Sequence, residues 1–260
     1  MGIRVFDFGP RAHMLPGPEE LDGFDPTEHL IIEEKAIAEL PGHPGSFIRW
    51  HPRDPSMLGL IPTTREAIED HIVRAQRHFQ AICTTSGGVL EVPSHRSFVA
   101  PNPRDPGKLA IITTVQKIEG ISYTSQAEVP EIAPAVYGLT RYLRWVIATG
   151  QPEILSDVFN SKQLMTEGHQ NYIVDTDAIL SSTPKNPRYM QFYVDRLKKW
   201  HERLPEAPHS MITNTLLSGA EQALCRASAQ YHNDRANSED SMVVAINRLV
   251  STMSPDDSDT

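Results

Sequence analysis

The 260-residue sequence predicts an α+β, two-lobed protein, and three observations carry that reading. Up to about residue 122, short β-like runs alternate with Gly- and Pro-rich punctuation around a single strong helical stretch. After residue 134, apolar residues recur mainly at three- and four-residue spacing. Two aspartates, Asp157 and Asp175, stand at the junction, each just after an apolar run. Strand-rich segments followed by helical ones are the order of an α+β protein. The chain divides into an irregular arm (1–27), a β-rich N-lobe with one helix (28–122), a helical C-lobe (123–253) and a mobile acidic tail (254–260).

Composition supports a folded core. Hydrophobic residues make up 39% and charged residues 22% of the chain, both near globular norms. A net charge of −9, with no basic stripe, excludes broad nucleic-acid binding, which needs clustered Lys and Arg against phosphate. Cys83 and Cys225 stand alone near the ends of apolar helical faces and read as reduced thiols, which fits a cytoplasmic setting. No run of about 18 apolar residues is present, and the N-terminus lacks a signal-like apolar stretch, so the expectation is no membrane association. Gly2 is not followed by Ser or Thr where a myristoylation signal requires it.

Residues 1–27 lack periodicity and read as a lead-in, with Asp7-Phe8-Gly9 as turn sequence. Leu30 to Leu40 and Phe47 to Trp50 flank Pro41-Gly42-His43-Pro44-Gly45 and read as a pair of strands around a turn, with a helix as the alternative for the first run, through Glu33-Glu34-Lys35-Ala36. Pro62 then opens the strong helix, with Thr63 and Glu66 spaced as a capping box. Ile68, Ile72, Val73, Phe79 and Ile82 mark its buried side, and Gly87-Gly88 end it. His71 and His78 on this helix are seven apart, not the four that a metal pair needs. Three β-like runs follow, at Val89–Val92, Arg96–Ala100 and Leu109–Val115, broken by Pro93 and by the turn residues 102–107. They close at Gln116-Lys117-Ile118-Glu119-Gly120-Ile121.

Pro134 to Gly150 is an amphipathic helix, with Val136, Leu139, Leu143 and Val146/Ile147 on one face. Ile154-Leu155-Ser156-Asp157 comes next, then a polar linker through Lys162 and Gln163, then Asn171-Tyr172-Ile173-Val174-Asp175 as a strand. Asp is common in turns, so Asp157 also reads as a plain turn residue. Three further helices are expected: one on Tyr189, Phe192/Tyr193, Leu197 and Trp200, one on Ile212 to Ala227, and one on Val243 to Val250.

This helix, Asp-bearing loop and strand ending in Asp resemble the catalytic half of the protein-kinase-like superfamily, above all its aminoglycoside- and lipopolysaccharide-kinase-like branches. The resemblance spans roughly residues 30 to 180 in element order. It implies ATP and Mg²⁺ as cofactors and an acceptor that is a small molecule or a protein. Asp157 matches the catalytic-loop Asp and Asp175 the metal Asp, with Asp177 and Gln163 as helpers. Glu66 and Glu69 match the helix Glu that pairs with a nucleotide-binding lysine. Lys35 or Arg49 would fill that lysine's role, because no lysine occurs between Lys35 and Lys108. The segment carrying Lys117 and Glu119 resembles the hinge that meets adenine through its backbone. Leu155-Ser156 stands where the family has His-Arg or His-Gly, and Lys162 where it has a metal-binding Asn, with Asn160 or Gln163 as substitutes. Two functions are therefore expected: a phosphotransferase acting on a hydroxyl, or an inactive kinase-like scaffold that binds or regulates a partner.

Overall fold

The computed structural model describes residues 2–32, 36–50, 64–122, 132–174, 180–182, 190–202 and 208–252. It is a mixed α+β protein with a sheet-rich first part and, among the described residues, four α-helices.

The chain begins with a strand, β1 (Val5–Phe8). The irregular arm expected over residues 1–27 is thus corrected: its first residues belong to a sheet. Four residues are too few to reveal alternation in sequence, yet Phe6 packs against Ile68, Ile72 and Val99. Asp7 sits directly opposite Arg96, which donates to both carboxylate oxygens at 2.7 and 3.1 Å. The rest of the lead-in lies over the sheet through Leu21 and Phe24, and Thr114 Oγ1 donates to the Pro16 carbonyl at 2.9 Å.

Strands β2 (Leu30–Ile32), β3 (Ile37–Glu39) and β4 (Ser46–Trp50) follow as an antiparallel set. The first apolar run is therefore two strands. Helix α1 (Arg65–Ser86) is capped by Thr64, whose hydroxyl accepts from the Ala67 N–H. The cap thus falls one residue after the expected Thr63, which lies outside the described residues. Gly87, at φ +70°, supplies the left-handed residue that ends the helix.

After α1, the short β5 (Leu90–Glu91) leaves the first sheet, while β6 (His95–Asn102) and β7 (Asp105–Gln116) form a long hairpin within it. The first sheet is antiparallel, in the order β1-β6-β7-β4-β3-β2. Alternation along its strands divides it by face. Ala38, Ile48, Trp50, Phe98 and Ile112 form one core under the lead-in; the opposite face, with Phe6 and Val99, lies against α1.

A connection leads to β8 (Ile121–Ser122), then α2 (Ile132–Thr149), β9 (Glu153–Leu155), β10 (Leu164–Glu167), β11 (Gln170–Ile173) and β12 (Leu180–Ser182). The polar linker expected past Gln163 includes half of the β10–β11 hairpin; Thr166, Glu167 and Gln170 hide it because only alternate residues meet the core. β10 and β11 join β5 and β8 in a four-stranded sheet, and β9 pairs with β12. Helices α3 (Gln191–His201) and α4 (Pro208–Thr252) complete the chain. Two separate helices were expected over the α4 span, but no Gly or Pro interrupts residues 220–252 and one helix runs through. In α3, Val194 and Leu197 are buried, whereas Phe192 points outward at 60% exposure. One large core joins Phe79 and Ile82 of α1 to Leu139 and Leu143 of α2, Ile154 of β9, Leu197 of α3 and Leu217 of α4. No described helix is long and apolar enough to cross a membrane.

Candidate active site

Arg49 lies on β4, opposite Thr113 of β7 and Ile37 of β3, on the sheet face that meets α1. It is buried, and its Nη1 reaches the Val174 carbonyl at 3.5 Å across 125 residues of chain. The Arg49 charge is thereby brought to the end of β11, one residue before Asp175. Asp175 and Asp177 themselves lie outside the described residues, as does Lys35.

Val174 is also where the Asp157 loop is fastened. Its N–H donates to the Gln163 carbonyl at 2.8 Å, the Gln163 N–H to the Asn160 carbonyl at 2.9 Å, and the Asn160 N–H to the Asp157 carbonyl at 2.9 Å. Two short 3-10 turns, Asp157–Phe159 and Ser161–Gln163, make this path. Asp157 opens the first. Leu155 before it and Val158 and Phe159 after it are buried, so the backbone is anchored on both sides while the Asp157 side chain stays exposed. The carboxylate faces α3: burial and the Asp157 charge both raise the Tyr193 phenol above its usual pKa.

The other expected residues lie around this centre rather than in it. Glu66 is exposed in the first turn of α1, and Glu69 forms ion pairs with Arg4 and Arg65, each at 3.9 Å. Lys117 and Glu119 pair with each other at 3.6 Å near the surface. Their backbone does more: the Lys117 N–H donates to the Gly45 carbonyl at 2.9 Å, and the Glu119 N–H to the Glu167 carboxylate at 2.7 Å. The connection is so held between the β3–β4 turn and the β10–β11 hairpin. Gly120 lies so close to the hairpin that a Cβ there would sit 2.2 Å from the Thr166 carbonyl oxygen. Since the obstacle is backbone, Gly120→Ala is expected to cost about 2 kcal/mol. The urea-unfolding midpoint should fall at an unchanged slope.

Sequence reasoning missed His95. It is buried on β6 beside Arg49, stacked on Phe8 at 4.9 Å and edge-on to Phe79. Burial, opposed by the Pro93 carbonyl that accepts its Nδ1–H at 2.9 Å, pushes its pKa down to about 4. The ring is thus neutral beneath the Arg49 charge. Its only sequence signal was an apolar neighbourhood at Ser97-Phe98-Val99, too common to single it out.

No protein-family model matches this chain. No match was found among curated proteins or solved structures either.

Arg49 brings a buried guanidinium to Val174, whose N–H is bonded to the Gln163 carbonyl, and Asp157 stands exposed at the far end of that hydrogen-bonded path. Oxygen donors from Asp157, Gln163 and Asp175 suit a hard cation such as Mg²⁺ in type. No cluster of three or more His, Cys, Asp or Glu that could hold a metal ion occurs among the described residues.

Proposed function

We propose that the protein is a divergent kinase-like phosphotransferase that moves the γ-phosphoryl group of ATP to a hydroxyl of a small-molecule or protein acceptor. The observation that carries this reading is the approach of Arg49 Nη1 to the Val174 carbonyl, with Val174 hydrogen-bonded to the Asp157 loop through Gln163. A cation from the sheet thus reaches the chain leading to Asp175, and the backbone of the Asp157 loop is bonded to the same residue. The order of elements supports it too: strands β2, β3 and β4, then α1, then β6 and β7 in one antiparallel sheet. In protein kinases the nucleotide-binding lysine rides on the third strand, ahead of the helix that carries its glutamate. Arg49 stands on the strand before α1.

On this reading Asp157 accepts the proton of the acceptor hydroxyl and aims its oxygen, which an exposed carboxylate on an anchored turn can do. Arg49, fixed by burial, offsets negative charge on the phosphates. Mg²⁺, held by Asp175 with Gln163 or Asp177, would neutralise the phosphate oxygens. The Lys117 and Glu119 N–H groups are engaged by Gly45 and Glu167, so the base would be met by the carbonyl oxygens of this segment.

The scaffold reading is favoured by a different observation. Glu69 is engaged by Arg4 and Arg65 at the outer end of α1, and no lysine lies between Lys35 and Lys108. Titration with a fluorescent ATP analogue, with and without Mg²⁺, and an assay of phosphate loss separate the two. The enzyme reading expects Mg²⁺-dependent binding, weakened roughly tenfold or more by Asp175→Asn, together with turnover. Binding without turnover supports the scaffold, and absence of nucleotide binding removes the kinase reading.

A further inference from the structure

Helix α1 is joined to β9, the strand that delivers Asp157, at two points one helical turn apart. At the rim, Arg74 Nε donates to Glu153 Oε2 at 2.9 Å. Inside, the Tyr142 hydroxyl oxygen of α2 accepts the Leu155 N–H at 3.1 Å and lies 2.8 Å from His78 Nδ1. His78 is 4% exposed and Tyr142 fully buried. A buried phenol proton needs an acceptor and His78 Nδ1 is the one beside it, so we assign Tyr142 as the donor, which gives a neutral imidazole carrying its proton on Nε2. Burial favours that neutral form and outweighs the Glu153 charge. Tyr142 also stacks on Phe159, at 6.2 Å between centroids, and Phe159 packs on Tyr193.

Tyr142 therefore touches the chain two residues before Asp157 and two residues after it. A phenylalanine would fill the same core volume. A fully buried hydroxyl costs free energy unless its hydrogen bonds are made, and here they run to the Asp157 strand and to α1.

We propose that Tyr142 and His78 are positioning residues that hold the Asp157 turn in place and tie it to helix α1. The catalytic meaning of that tether rests on the phosphotransfer reading above; the tether itself does not. Neither residue touches the proposed reacting atoms, so the effect runs through the backbone of residues 155–159.

The test uses the full chain and four forms: wild type, Tyr142→Phe, His78→Asn and His78→Leu. Asn keeps an acceptor near the Nδ1 position, and Leu removes it. Amide hydrogen exchange followed by NMR is the first readout. Tyr142→Phe is expected to lower protection of the Leu155 amide roughly tenfold or more and to loosen residues 157–160, with Leu139 and Leu143 of α2 unchanged. His78→Leu should do the same more weakly, and His78→Asn should restore most of the protection. In the phosphate-transfer assay, Tyr142→Phe should lower kcat roughly 10- to 100-fold while KM for ATP stays within about twofold, as expected when only the aim of Asp157 is lost. An inactive wild type that nevertheless shows the exchange pattern removes the phosphotransfer reading and upholds the tether. Unchanged Leu155 protection in Tyr142→Phe, or a His78→Asn variant as loose as His78→Leu, overturns the proposal. Should Tyr142→Phe fail to fold, the His78 pair decides alone.

Discussion

Asp157→Ala is expected to lower phosphate transfer roughly a thousandfold while Mg²⁺-dependent binding of an ATP analogue stays within about twofold of wild type. The size follows from the proposed role: a carboxylate that accepts the hydroxyl proton acts only as the transition state forms. The selectivity follows from the geometry. Asp157 is exposed, and its turn is held by backbone hydrogen bonds through Asn160 and Gln163 to Val174, so truncating the side chain leaves the hydrogen-bonded path intact. Asp157→Asn keeps the shape without the proton acceptor and should match the alanine variant. A wild-type-like rate in either variant would remove Asp157 from the chemistry, and a parallel loss of nucleotide binding would reassign it to the ligand. The assay is single-turnover phosphate release at saturating ATP analogue, with unfolding midpoints as the folding control.

A loss of about 3 kcal/mol of stability is expected as the pH falls from about 6.5 to about 4, through His95. In the unfolded chain His95 titrates near its ordinary value of 6.5, whereas in the fold its pKa is pushed down to about 4. Between those two values the unfolded state binds the extra proton, so stability rises with pH. The contribution is present in full above the unfolded pKa and disappears as pH falls through the folded one. Burial between Phe8 and Phe79 is the main cause, with the Arg49 charge acting in the same direction and Asp7 opposing. His78, also held low by burial, adds an effect of the same sign. Urea-unfolding midpoints across pH 4 to 7.5 measure it. His95→Phe keeps the stacked ring but leaves the Pro93 carbonyl without its donor, so it should be less stable at pH 7 and have a flatter acid limb. An acid limb of unchanged steepness in that variant would mean that other groups cause it.

Much of the secondary structure was legible because it rests on local chemistry. Helix α1 follows from its apolar spacing, a Thr cap and Gly87-Gly88; α2 follows from Val136, Leu139 and Leu143 and the stop at Gly150. The strand β11 was legible from Tyr172 and Ile173, but β1 and β10 were not, because each depends on a partner distant in sequence, β6 for the one and β8 for the other. The length of α4 was misjudged because the polar stretch between Ala227 and Val243 was taken for a break, although it holds no Gly or Pro.

For the candidate site the division is similar. Asp157 could be singled out in the sequence, since it stands just past the apolar Ile154-Leu155. The contacts made around its loop could not. Arg49 reaches Val174 from β4, His95 shares the sheet face of Arg49 because β6 and β4 flank β7, and Tyr142 of α2 accepts the Leu155 N–H.

By itself, the amino-acid order determined where most helices start and stop, which faces they bury and that strands dominate the first half, because those depend on periodicity within one segment. Which side chains meet across separate elements, such as His78 with Tyr142 and Arg49 with Val174, was decided only by tertiary structure. Contacts across 64 or 125 residues arise from packing of separate elements, and no spacing along the chain encodes them.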